Sequence, residues 1–159
     1  SSGGGIRVSG GTSELTYSTV VSNTATIGGD GIYRSGGAVS LINTILAYNG
    51  SENCYAKPTS NGHNLEDSNT CSLDASGDIT NTDPLLGPLT HSSDPSPGSG
   101  RGTWVHPLQN GSPAIDQGLC LADPTVDQRG MTRPQGEGCD IGAYEAVPGV
   151  YLPLVLRSF

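Results

Sequence analysis

The chain has little positive charge and few aromatic rings. Seven Lys and Arg stand against fifteen Asp and Glu, for a formal net charge of −8. Nucleic acids and anionic membranes select for Lys and Arg, so neither is an expected partner. No apolar run approaches the roughly 20 residues of a membrane-spanning helix, so no such span is expected. Aromatic residues make up only 5% of the chain, alongside 24 Gly and 11 Pro. That composition excludes a helical bundle and suits many short strands joined by tight turns. None of the four cysteines forms a C-x-x-C pair and no His lies at ligand spacing, which argues against a zinc ribbon or a thioredoxin-type site. The chain carries neither the D-x-D-x-D-G calcium loop nor the glycine-rich calcium-binding nonapeptide. It also has no initiator Met and no signal peptide, and it opens inside a repeat at SSGGGI. It therefore reads as a processed product or a piece of something longer.

What is present is a repeat. Gly3 to Asn23, GGGIRVSGGTSELTYSTVVSN, superimposes on Gly28 to Asn49, GGDGIYRSGGAVSLINTILAYN, at an offset of about 26 residues. Ile6 falls on Ile32, Gly10 and Gly11 on Gly36 and Gly37, Leu15 on Leu41, Val20 on Leu46 and Asn23 on Asn49. Val, Ile, Thr and Tyr dominate the runs, with Gly and Ser between them, which reads as strand and turn. The expected strands lie near 6–8, 14–17, 31–34, 38–42 and 45–48. Stacked repeats would place Ile32, Leu41 and Leu46 in internal columns and join Asn23 to Asn49 in an amide ladder. The odd spacing from Leu15 to Val20, and from Leu41 to Leu46, calls for a corner between them, at Tyr17-Ser18 and Asn43-Thr44. A narrow core of this kind needs few inward residues, so a hydrophobic fraction of 33% does not imply disorder.

GGGI, GGDGIYRSGG and LINTILAYN resemble the repeats of bacterial right-handed parallel β-helix proteins. The later run GSPAIDQG, DQRGMTRPQGEGCDIGAYE resembles the C-terminal end of one surface group among them, the choice-of-anchor Q domain proteins, and TDPLLGPL ahead of it also fits. The resemblance covers Gly3 to about Glu145. It implies an all-β, right-handed parallel β-helix (a solenoid), secreted or displayed at the cell surface. That family has no agreed catalytic site, so none is carried over. The domain division expected is a β-helix with its C-terminal cap over 1–145 and an apolar tail over 146–159.

Cys54, Cys71, Cys120 and Cys139 are an even number in a chain without cytosolic signature, which reads as disulfides. Three connectivities exist. Nearest-neighbour pairing, Cys54–Cys71 and Cys120–Cys139, is favoured because each bond then staples one irregular loop. Residues 50–82 read as a polar excursion and 104–145 as a compact end structure. Within the latter, Arg129 and Arg133 sit among acidic residues and read as a network of paired charges. No cofactor is expected. The alternative for the same stretch is calcium held by Asp116, Asp127 and Asp140.

Residues 150–156, VYLPLVL, are apolar on both alternating faces. Together with Ile6, Leu15 and Val20 at the head of the first repeat, Val150, Tyr151, Leu152, Leu154, Val155 and Leu156 form the expected assembly surfaces. The tail of one copy would dock along a neighbour, head to tail, and build a filament. The function expected is thus a non-catalytic extracellular or cell-surface structural subunit whose partners are copies of itself. The alternatives are a glycan-binding adhesin using Tyr33, Tyr48 and Tyr55, or a surface-anchored β-helix module whose tail is a sorting or anchoring signal. A polysaccharide-degrading enzyme is a further reading, but the repeats offer no aligned pair of acids for it.

Overall fold

The computed structural model describes residues 3–92 and 102–148. These residues form an all-β structure without helices. β1 (Ile6–Thr16), β3 (Ile32–Ile42) and β5 (Thr59–Ser60) make one parallel sheet in that spatial order, and β2 (Thr19–Val21), β4 (Ile45–Ala47) and β6 (Leu65–Glu66) make a second. β7 (Thr90–Ser92) and β8 (Thr103–Val105) form an antiparallel pair.

The repeat sets the register of the first two units. Ile6 lies opposite Ile32, Leu15 opposite Leu41 and Val20 opposite Leu46. The chain turns between β1 and β2 at Tyr17, with φ of 46°, and between β3 and β4 at Asn43, with φ of 51°. Gly37 lies so close to the unit before it that a Cβ there would meet the Gly11 carbonyl oxygen at 2.4 Å. Its φ of +71° also lies in the left-handed region that favours glycine. Val8, Leu15, Val20, Ile32, Val39, Leu41 and Leu46 gather between the sheets with Cys54, Cys71 and Leu73. The Asn ladder is formed: Asn23 Nδ2 donates to Asn49 Oδ1 at 3.0 Å, and Asn49 Nδ2 to Asn53 Oδ1 at 2.8 Å.

The right-handed parallel β-helix expected from the sequence is not formed. The sheets are small, the strands are mixed parallel and antiparallel, and none winds into a solenoid. Parallel pairing at the 26-residue offset joins only the first two units. The third step is shorter, 20 residues from Thr44 to Asn64, and leaves strands of only two residues. After Glu66 parallel pairing survives only as a single bridge, Leu65 to Ile79; later pairing is antiparallel. The physical reason lies in residues 50–82. The apolar columns of the first two units do not recur there, and beside the remaining backbone bonds polar side chains take the N–H groups of Asn64, Thr70, Cys71 and Ala75.

Two carboxylates organise that excursion. Glu66 is fully buried and accepts from the Thr70 N–H and hydroxyl, the Cys71 N–H, the Ser68 hydroxyl and Asn53 Nδ2. Asp78 accepts from the Asn64 N–H and Nδ2, the Ser60 hydroxyl and the Ala75 N–H. Cys54 and Cys71 are bonded, as are Cys120 and Cys139.

The second sheet is covered on both sides. Val20 and Leu46 face the first sheet, while Ile45, Ala47 and Leu65 pack outward against Leu108, Ala114 and Ile141. Residues 104–148 therefore lie along the flank of the repeats. Tyr17 ties them in, its hydroxyl donating to the Leu119 carbonyl at 2.6 Å, and the Asn43 amide bonds both the N–H and the C=O of Leu119.

Candidate functional site

The feature that stands out is a cleft of about 460 Å³ at the start of the repeats. Its floor is the edge strand β2 with the beginning of β1, through Ile6, Val20 and Val21. Leu89, Trp104 and Val105 from the antiparallel pair form one wall, and Gln128, Ala143 and Tyr144 another. Trp104 is 61% exposed and Leu89 53%. Among the described residues, no Asp, Glu, Lys or Arg lines the cleft.

Among the described residues, β2 has a partner on one side only. Ile45 N–H donates to Ser18 C=O, and Ser22 N–H donates to Ala47 C=O. In a parallel ladder the residues between, Thr19 and Val21, then direct their N–H and C=O groups away from β4. Asn23 Nδ2 takes the Val21 carbonyl at 3.0 Å. The Thr19 hydroxyl accepts from the Ala143 N–H at 3.0 Å, which fixes that wall against the strand.

Behind the Tyr144 wall lies a buried charge network. Arg129 pairs with Asp127 at 2.7 Å and Arg133 with Glu145 at 2.6 Å, all four side chains being largely or wholly withdrawn from solvent. Arg129 lies over the Tyr144 ring at 3.6 Å and Arg133 over the Tyr17 ring at 4.2 Å. Arg133 Nε is the single buried side-chain polar atom without a hydrogen bond among the described residues. Buried pairs of this kind are costly to break singly, because one charge is left without its partner.

The calcium alternative does not fit this arrangement. Asp127 accepts from the Arg129 and Met131 N–H groups, Arg129 Nε and the Glu145 N–H; Asp116 accepts from the Gly138 N–H; Asp140 accepts from the Asp116 and Ala146 N–H groups. Each carboxylate already serves the protein's own donors. Among the described residues no three His, Cys, Asp or Glu are grouped to hold a metal ion. Burial pushes the Asp140 carboxyl up to about 6, against its two backbone hydrogen bonds. Asp30 moves the other way: N–H donors, first that of Ala25 and then that of Ser51, lower it.

The expected glycan residues do not come together as one set. Tyr33 and Tyr55 stack at 4.6 Å, with Arg7 beside Tyr33. Tyr48 instead donates to Asp83, and burial first, then that bond, raises its hydroxyl to about 12. Of the expected assembly residues, Leu15 is buried, while Val20, also buried, and half-buried Ile6 form part of the cleft floor. Val150, Tyr151, Leu152, Leu154, Val155 and Leu156 lie outside the described residues. Sequence reasoning missed the cleft. Its walls come from residues about 70 to 140 positions beyond its floor, and only the lone Trp104, followed by Val105, hinted at them. No protein-family model, no curated protein and no solved structure matches this chain.

Proposed function

We propose that this protein is a non-catalytic extracellular structural subunit that associates with copies of itself. The observation that carries the reading is the edge of β2: a strand paired on one side, opening into a cleft walled by exposed Leu89 and Trp104. Edge strands of this kind are usually covered or charged, because they accept further strands. Among the described residues of the lining there is no charge to repel one. Two disulfides support an oxidising, extracellular setting. The described residues include no helix long and apolar enough to cross a membrane. Against catalysis stands the chemistry of the cleft, since glycoside hydrolysis uses two facing carboxylates and none lines it among the described residues.

The test is sedimentation velocity of the full chain across a wide concentration range under non-reducing conditions. Association that grows with concentration supports the reading; a monomer throughout refutes it.

A second reading has its own observation. Trp104 exposes most of its ring beside Gln128 and His106, a pairing of aromatic face and polar groups that suits a sugar. A glycan array with the intact chain and Trp104→Ala would reveal it.

A further inference from the structure

The edge of β2 selects the kind of strand it accepts. Val20 belongs with Ile6 to the apolar cluster between the sheets, and Val21 belongs with Tyr144 to the cluster on the outer flank. A strand laid along β2 therefore extends both clusters, one from each of its faces. It must be apolar at every position, whereas a strand at a half-solvated edge needs apolar residues only at alternate ones. Residues 150–156, VYLPLVL, meet that demand: Tyr151, Pro153 and Val155 alternate with Leu152, Leu154 and Leu156. If Leu152 and Leu154 turn their main-chain groups toward β2, Pro153 faces away and its missing N–H costs the ladder nothing. The run is uncharged, like the described lining of the cleft, and the next residue is Arg157.

We infer that residues 150–156 of one copy add as a strand to the free edge of β2 in a second copy, filling the cleft under Leu89 and Trp104. The inference rests on the self-association proposed above and names its contact. The chain itself runs away from the cleft before the run begins. Tyr144 lines the cleft, but Ala146, Val147 and Pro148 line a second hollow with Leu108 and Ile115. Pro148, the last described residue, thus lies at a different hollow from the cleft. A contact between two different surfaces repeats from copy to copy and leaves a free cleft at one end and a free run at the other.

Trp104 is the only tryptophan, so its emission reports on the cleft directly. Full-length chains are compared as intact protein, Leu89→Glu and Leu154→Asp, with circular dichroism as the check on folding. The intact chain is expected to associate as concentration rises, with Trp104 emission moving to shorter wavelength at the same midpoint. Each variant should need at least about tenfold more protein to associate. Mixed, the two variants should recover association but stop at a dimer, since only one good cleft and one good run remain. Association with unchanged Trp104 emission, or by either variant as readily as by the intact chain, overturns the inference and leaves self-association standing. A monomer whose Trp104 is already shielded at every dilution means the run fills its own cleft, and this overturns both readings. A monomer with exposed Trp104 does the same. The variants lie on opposite sides of the contact, so failure of Leu89→Glu to fold leaves Leu154→Asp to decide.

Discussion

Glu66 gives the polar stretch after residue 50 its shape, because one buried carboxylate gathers five donors from Asn53, Ser68, Thr70 and Cys71. All five meet the same oxygen, Oε1, so the informative change is Glu66→Leu, which removes the acceptor altogether. Donors left unsatisfied in the interior should lower stability by about 2–4 kcal/mol, read from denaturant unfolding. Asp140 behaves differently. Its carboxyl is raised to about 6 by burial, above the 3.8 it has when unfolded. The folded state therefore holds a proton that the unfolded chain releases. The stabilisation from this group is full below pH 3.8 and is lost as pH rises through about 6. Asp140→Asn should flatten that part of the pH–stability curve, and the carboxyl carbon of Asp140 should titrate near 6 by NMR. A midpoint near 4 would contradict the burial account. The residue types at these positions were visible in the sequence, and their roles were not. Asp140 was a calcium candidate because acids near acids invite that reading. Nothing in the string indicates that backbone N–H groups already occupy its oxygens.

At the scale of elements, the sequence was most legible where it repeats. Residues that recur in β1 and β3, or in β2 and β4, stand opposite each other because identical side chains stack well in parallel strands. The turns at Tyr17 and Asn43 followed from the odd spacing of Leu15 and Val20 and of Leu41 and Leu46. The legibility ends where Asn53, Glu66 and Asp78 take over from apolar columns, and there the expected solenoid fails. The Cys54–Cys71 bond holds this poorly laddered region to the core: Cys54 bridges Ile32, and both cysteines are buried among the apolar side chains between the sheets. The bond spans 17 residues. Cys54→Ser with Cys71→Ser should cost about 3 kcal/mol in the chain-entropy account of such a loop. Amide exchange should quicken most around Thr59–Glu66, where strands of two residues offer little ladder of their own.

For the molecule as a whole, what matters is where the C-terminal part sits. The sequence reads 104–145 as an end cap, yet those residues cover the flank of the second sheet. Ile45, Ala47 and Leu65 complete their burial only through Leu108, Ala114 and Ile141. That flank was hard to read from sequence, because Ile45 and Ala47 look like the outward positions of a strand whose inward residue is Leu46. With both faces of β4 buried, neither half keeps its core without the other, and unfolding should be a single cooperative step. Ile141 is the residue to test this: it is fully buried, and its N–H donates to the Ala114 carbonyl at 2.9 Å. Ile141→Ala removes apolar volume at the seam and should cost about 2–5 kcal/mol. If the two halves are one unit, the loss appears at both. Native-state hydrogen exchange should speed up at the Leu65 and Glu66 amides, which bond Thr44 and Ile79 in the N-terminal part, by the same factor as at Ile141's neighbours. Faster exchange confined to residues 104–148 would mean that the flank is an independent attachment. The cleft on β2 would then have a wall that moves separately from its floor. A shared response fixes Tyr144 and Val21 relative to each other, and strand addition at the free edge of β2 needs that fixed geometry.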